Sequence, residues 1–217
     1  MADTAVAVGP LAAGSDRSYR AEAQSTETLE PVMSTKPLEQ AIASTRAVLA
    51  GVASEQMTAD TPCAAWKVSD LINHVVGAQH FFTAGVTGAS PAGSDTDFSA
   101  GDYMAAFDDA SGSCIDAFRA DGIMDKMVAM PFGEMPGSAV MGLAMTDTFT
   151  HGWDLAKATG QDTNLAPELA AGLLEQARMS IQPAFRSPEG SVFGPEKEAP
   201  AGASNADQLA AFLGRTV

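Results

Sequence analysis

Apolar residues recur every three or four positions along most of the chain from Pro37 onward, which is the spacing of one face of an α-helix. In the second of these stretches the apolar positions include Leu71, Val75 and Phe82, and Gly160 ends the fourth with a residue typical of helix C-termini. The pattern predicts helices at residues 37–51, 68–87, 103–120, 137–159 and 167–182, followed by a short helix at 206–213.

The segments between the predicted helices differ in composition. Residues 58–66 contain Thr61, Pro62 and Cys63, and we expect an ordered loop there. Residues 88–101 are rich in Ser, Gly, Asp and Pro with few apolar residues, so we expect a mobile surface loop. Residues 125–136 combine Met, Val and Phe with Pro and Gly, which indicates a short extended excursion or hairpin.

Several amphipathic helices with long connections favour a mainly all-α fold, a helical bundle, over any sheet architecture. A chain of 217 residues is long enough for one substantial core, and we expect one domain at 35–217. Residues 1–34 show no sustained periodicity and are interpreted as a disordered leader. Met33 resembles a natural start, so the first 32 residues are alternatively an extension.

Composition and charge exclude several classes of partner. The formal charge of -15 arises from 27 acidic and 12 basic residues, and it opposes binding to nucleic acid or to an anionic membrane surface. No run approaches the ~20 apolar residues that span a bilayer, and no signal peptide is recognisable, so we expect a cytoplasmic protein. Cys63 and Cys114 form neither a CxxC pair nor a disulfide framework.

Candidate chemistry centres on the three histidines of the chain. His74 and His151 lie in the middle of the two best-defined helices, and Asp147 precedes His151 by one helical turn on the same face. Two imidazoles and one carboxylate are a ligand set expected for Zn²⁺, Ni²⁺ or Fe²⁺, and three protein ligands leave a position open. The alternative is that both histidines are hydrogen-bonded core residues and Asp147 pairs with a cation, and spacing alone does not separate the two interpretations.

Other polar residues near this set are given lesser roles. His80 follows His74 by six residues, which rotates it about 120° around the helix, so we place it outside the site. Asp154 either orients a ligand imidazole or pairs with Lys157 on the surface, and we favour the supporting role. Cys63 has no His/Asp pair near it in sequence, so we expect an unactivated, buried thiol.

Four segments resemble a known family: TPCAAW at 61–66, LINHVVG at 71–77, DTFTHGWDLA at 147–156 and FGP at 193–195. Together they resemble the metal-binding domain of actinobacterial mycothiol-dependent maleylpyruvate isomerase, within the DinB-like superfamily, over about 35–217. The resemblance implies a DinB-like four-helix core with a metal between helices, held at the positions of His74, Asp147 and His151. Asp147 stands where the isomerase-type pattern has glutamate, so direct and water-mediated coordination both stay open.

The resemblance supports metal binding better than it supports a particular reaction. The full isomerase has a separate C-terminal domain that contributes substrate contacts, and nothing after Leu213 matches it. We therefore expect a metal-dependent thiol transferase or isomerase-related enzyme. In it, the ion lowers the pKa of a bound thiol or water, and a mycothiol-type thiol and a small electrophile are the substrates. The alternatives are a non-catalytic metal-binding or sensor protein and a helical interaction module whose histidines bind nothing.

Overall fold

A computed structural model describes residues 34–90, 92–93, 95–187 and 193–217. Within these residues the chain forms six α-helices and one antiparallel hairpin: α1 (Lys36–Ala50), α2 (Val68–Thr87), α3 (Tyr103–Phe118), β1 (Met127–Met130), β2 (Gly133–Pro136), α4 (Gly137–Thr159), α5 (Pro167–Ser180) and α6 (Asn205–Phe212). The expected mainly all-α class and the short hairpin are confirmed. The expected leader at 1–34 falls almost wholly outside the described residues.

The helix ends agree best with the sequence where a glycine marks them. Gly88 and Gly160 follow α2 and α4 in the left-handed conformation, with φ of 74° and 71°, and both helices end where they were predicted to end. α5 ends at Ser180, two residues before the predicted end. Gln182 is extended because it precedes Pro183, whose ring disfavours a helical conformation in the residue before it.

Helices α1 to α4 form the core of the molecule. α1 packs against α4, and α2 packs against both α3 and α4, while α5 and α6 pack mainly against each other. The largest fully buried side chains include Phe107, Phe118, Phe149 and Trp153. No helix in the described part of the chain is both long enough and apolar enough to cross a membrane.

A buried polar contact fixes how α1, α2 and α4 sit against one another. The Thr45 hydroxyl donates to the Thr148 carbonyl at 2.8 Å, and the Gln79 amide donates to the Thr148 hydroxyl at 2.8 Å. Gly152 allows α1 to approach closely, since a Cβ at that position would lie 2.3 Å from Thr45 Oγ1. Thr148 follows Asp147 directly, so these contacts set the position of the α4 face that carries Asp147.

The segments that connect the helices are also ordered in part. β1 and β2 pair with Met130 opposite Gly133, and Phe132 in the turn is 60% exposed. The region 88–101, expected to be mobile, contains a 3₁₀ turn at Phe98–Ala100, and the Ser99 amide donates to Asn73 Oδ1 on α2 at 2.9 Å. Its mobility stays a prediction.

Candidate metal centre

Helices α2 and α4 bring the three predicted ligands together. Asp147 Oδ1 lies 3.2 Å from His74 Nε2 and 3.5 Å from His151 Nε2. The three ligand atoms all lie within 4.8 Å of one another. Donor atoms about 2 Å from a tetrahedral Zn²⁺ lie about 3.3 Å apart, so the two spacings from Asp147 are compatible with a shared ion. His80 lies apart from the group and stacks on Phe98, with ring centroids 5.9 Å apart. The structure thus unites His74, Asp147 and His151 and leaves His80 outside.

The Asp147 carboxylate has the properties of a cation ligand. Burial alone raises the pKa of Asp147, but hydrogen bonds with His151 and His74 outweigh it and hold that pKa well below its usual range. The second carboxylate oxygen, Oδ2, is buried and has no hydrogen-bond partner among the described residues. A buried anionic oxygen without a donor is costly unless a cation satisfies it, so this residue set fits a divalent ion.

Asp154 orients the His151 ring through a contact at Nδ1, the ring nitrogen that does not face Asp147. Asp154 is fully buried, and His151 Nδ1 lies 3.0 Å from its Oδ2. A hydrogen on Nδ1 that donates to Asp154 leaves the Nε2 lone pair facing Asp147 and His74. Burial alone lowers the pKa of His151, but the two aspartates and Cys63 outweigh it and raise that pKa. Metal binding at Nε2 must therefore compete with a proton.

Arg215, three residues after the end of α6, holds Asp154 in place. Its Nη2 lies 3.0 Å from Asp154 Oδ2 and its Nε lies 3.3 Å from Oδ1, which is the two-pronged geometry of an arginine–carboxylate pair. Arg215 Nη1 also donates to the Leu213 carbonyl at 3.2 Å. Burial by itself raises the pKa of Asp154, and contacts with His151 and Arg215 reverse this and lower it.

The 61–66 loop covers the centre from a third direction. Thr61 organises the loop, because its hydroxyl accepts from the Cys63 amide at 3.1 Å and donates to the Trp66 carbonyl at 2.9 Å. The Trp66 ring lies 4.6 Å from the His74 ring and 5.6 Å from the His151 ring, measured between centroids. Trp66 therefore limits access of water to both imidazoles on this side.

A cavity of about 540 Å³ opens beside the centre. Its walls are mostly apolar, and they include Phe81, Phe82, Phe132, Leu143, Phe193 and Leu213. The polar end is formed by His74, Asp147, His151, Thr150 and Arg215. A pocket with one polar end and apolar walls is the form expected of a small-molecule site.

Comparison with known proteins decides the family. Residues 38–156, more than half of the chain, match the family model described as the mycothiol maleylpyruvate isomerase N-terminal domain. The chain belongs to this family. The matched region extends from α1 through most of α4 and includes His74, Asp147 and His151, so the resemblance seen in the sequence is confirmed.

This chain is also similar to two curated proteins of Mycobacterium tuberculosis, from strains CDC 1551 and H37Rv, which are described as uncharacterized. Each is 42% identical over 189 residues, which covers 87% of this chain and the whole of the relative. No solved structure shows significant similarity to this chain.

Two side chains beside the candidate centre, Arg215 and Cys63, are not expected there from the sequence. No sequence pattern predicts a role for Arg215 in the site, because a single arginine near the end of a chain is usually a solvated residue. The expectation for Cys63 was wrong: it is half-buried, and its thiol donates to Asp154 Oδ2 at 3.3 Å and lies 3.9 Å from His151 Nδ1. The His/Asp pair missing nearby in sequence is supplied by α4, 88 residues away.

Cys63, His151 and Asp154 form a second group with metal-ligand geometry. Arg215 argues against an ion there, because its Nη2 lies 3.0 Å from Asp154 and 3.9 Å from the Cys63 sulfur. A fixed guanidinium at this point repels a second cation and already neutralises Asp154. The set formed by His74, Asp147 and His151 is the better candidate of the two.

Proposed function

We propose that this protein is a metal-dependent enzyme that joins a mycothiol-type thiol to an electrophilic small molecule. His74, Asp147 and His151 would hold one divalent ion, with Zn²⁺ the first choice and Ni²⁺ or Fe²⁺ the others. One observation carries the proposal: three donor groups from two helices face one another beside a cavity, and Asp147 Oδ2 has no donor among the described residues. The thiol class comes from the family.

The donor set supports an open site. Three protein ligands would leave room on the ion for a further ligand, and all three of these residues line the cavity. A divalent ion bound there lowers the pKa of a coordinated thiol and so supplies a nucleophile at neutral pH.

The side chains around the three candidate ligands orient His151 and shield both imidazoles from water. Asp154 holds the His151 ring with Nε2 toward the cavity, and Arg215 holds Asp154. Trp66 lies against both imidazoles and limits access of water to them on its side. Thr150 lines the cavity, and its buried hydroxyl, which has no partner among the described residues, would donate to a substrate oxygen that reached it.

The reaction balances without an oxidant or reductant. In an addition, the thiol sulfur forms a bond to an electrophilic carbon, one carbon–carbon π bond breaks, and the proton released by the thiol returns to the adjacent carbon. Elimination of the same thiol after rotation about the new single bond would instead isomerise the double bond. Transferase and isomerase-related chemistry therefore share a first step.

Metal analysis of protein purified without a histidine tag tests the ligand set. After zinc loading and removal of free ion, we expect about one equivalent of Zn²⁺ in wild type and less than about a tenth in His151→Ala, because a lost ligand leaves only two. Asp147→Asn, which keeps shape but removes charge, should behave similarly. His80→Ala, the third histidine, is the matched control and should retain wild-type stoichiometry.

Less than about a tenth of an equivalent in wild type would overturn the metal site. The catalytic part is tested separately by consumption of mycothiol with α,β-unsaturated ketones and aldehydes. Stoichiometric zinc without any thiol consumption would leave a non-catalytic metal-binding or sensor protein as the correct description.

A further inference from the structure

We propose that the cavity beside the candidate metal centre selects an uncharged, mainly apolar electrophile and disfavours substrates that carry carboxylates. The inference deepens the proposed function and rests on it, since this molecule would be the acceptor of the thiol. It also departs from the family description, because maleylpyruvate carries two carboxylates. Three features point to this preference: apolar cavity walls, the pairing of the one arginine among the described residues that lines them, and one unsatisfied hydroxyl.

The walls offer aromatic and aliphatic surface. Four phenylalanines and two leucines line the cavity, from α2, α4, the hairpin and the C-terminal region. Phe82 is 6% exposed, so its part of the wall lies in the core, whereas Phe132 at the hairpin turn is 60% exposed. An apolar ligand body gains by leaving water for such a surface, while a carboxylate loses its hydration there.

No free cation from lysine or arginine faces the cavity in the described part of the chain. Among the residues that the structure describes, Arg215 is the only lysine or arginine that lines it, and both Nε and Nη2 are paired with the Asp154 carboxylate. Its Nη1 donates to a backbone carbonyl. A substrate carboxylate would thus have to share a guanidinium whose charge is already neutralised by the buried Asp154 carboxylate.

The candidate ion does not supply a free cation for a substrate carboxylate either. In the proposed function a thiol would be bound at the ion, and a carboxylate on the acceptor would have to compete with it there. Asp147 already contributes one negative charge to the centre, and the formal charge of the whole chain, -15, adds long-range repulsion of anions.

Thr150 supplies the polar contact that an uncharged electrophile needs. It is 5% exposed and lines the cavity, and its hydroxyl has no hydrogen-bond partner among the described residues. A neutral carbonyl oxygen satisfies that hydroxyl without bringing in a charge. The other hydroxyl at the cavity, Thr146 Oγ1, already donates to the Gly142 carbonyl at 2.8 Å.

Two probes of equal shape test the charge preference: naphthalene-2-carboxamide and naphthalene-2-carboxylate at pH 7. Isothermal titration calorimetry on the full chain, metal-free and, for the zinc-loaded form, with saturating mycothiol present, should show the carboxamide binding at least about tenfold more tightly. Equal affinity, tighter binding of the carboxylate, or no binding of the carboxamide would overturn the inference.

A single lysine locates the preference in the cavity. Leu143 lines the cavity but is 37% exposed, so Leu143→Lys should fold and should place a free ammonium at the wall. We expect it to reduce the preference for the carboxamide at least about fivefold by strengthening carboxylate binding. Met179→Lys makes the same charge change at a residue that is 73% exposed and does not line the cavity, and it should leave the ratio unchanged. Equal effects of the two lysines would contradict the inference.

Zinc content measured on the same samples separates the two proposals. Zinc retention with a carboxylate preference overturns the substrate class and leaves the proposed function. A carboxamide preference without zinc retention overturns the proposed function and supports the cavity's preference for uncharged ligands.

Discussion

Arg215 and Asp154 are 61 residues apart in sequence, yet the guanidinium contacts both carboxylate oxygens, at 3.0 and 3.3 Å. Through Asp154 this pair reaches His151 Nδ1, so the C-terminal end of the chain helps to orient a candidate metal ligand. Arg215 is a positioning residue in this arrangement, since the group that it contacts is Asp154.

Replacing Arg215 should weaken zinc binding while the three ligands remain. We expect Arg215→Gln to lower zinc affinity, but by less than the about 10- to 100-fold that is usual when the direct hydrogen-bond partner of a ligating histidine, here Asp154, is removed. Arg215→Lys keeps the charge but loses the two-pronged contact, so it should fall between Gln and wild type. Affinity is measured by competition with a chromophoric chelator.

Arg46→Gln is the control for this prediction, because Arg46 forms a comparable pair with Asp108 on the exposed surface. It should not change zinc affinity. If Arg215→Gln also left zinc affinity unchanged, the positioning role would be wrong.

The two cysteines should differ in their reaction with iodoacetamide. Cys63 is half-buried in a polar setting, whereas Cys114 is fully buried, and burial raises the pKa of Cys114 to about 12. We expect Cys63 in native protein to be alkylated at least about tenfold faster, because thiolate and access are both required. Mass spectrometry of peptides measures this, with equal labelling in denaturant as the control. Faster labelling of Cys114 in native protein would show that its burial is not maintained.

Gly152 should be intolerant of a side chain. A Cβ there would lie 2.3 Å from Thr45 Oγ1 and 3.2 Å from Thr45 Cα, so Gly152→Ala must separate α1 from α4. We expect a loss of about 1–3 kcal/mol in the free energy of unfolding from overpacking. Urea denaturation followed by circular dichroism measures it.

Gly172→Ala, inside α5, is the matched control for that substitution. A Cβ at Gly172 would meet nothing within 4 Å, so alanine should stabilise the helix by about 0.5–1 kcal/mol. If both substitutions changed the free energy of unfolding equally, the close approach of α1 and α4 could not explain the effect of Gly152→Ala.

Asp207 should make stability depend on pH. It accepts from the Trp153 indole at 2.9 Å, and although burial raises the pKa of Asp207, its hydrogen bonds outweigh that effect and lower it. A lowered pKa means that folding favours the carboxylate. Its contribution is therefore complete above the unfolded pKa of about 3.9 and disappears as pH falls through the lower folded value.

We expect Asp207→Asn to be less stable than wild type at pH 7 and the difference to shrink between about pH 5 and 3. Urea midpoints followed by tryptophan fluorescence measure this. Asp116→Asn, at a largely exposed aspartate on α3, is the control and should show a smaller pH-dependent difference. A difference for Asp207→Asn that grows as pH falls would contradict the sign.

The sequence by itself determined the helices and the composition of the candidate centre. Helical periodicity depends on local spacing, and the four-residue step from Asp147 to His151 places both on one face of α4 whatever the rest of the chain does. The match of α2 and α4 to their predicted bounds follows from the same local physics, with glycine ending each helix.

Only the tertiary structure decided which distant side chains support that centre. Cys63 meets Asp154 across 91 residues, and Arg215 meets it across 61, and no local pattern encodes either contact. The cavity has the same origin, because its walls combine residues of α2, α4, the hairpin and the C-terminal region. Such contacts arise from how whole elements pack, which is fixed by shape and burial summed over the core and not by the spacing within any one helix.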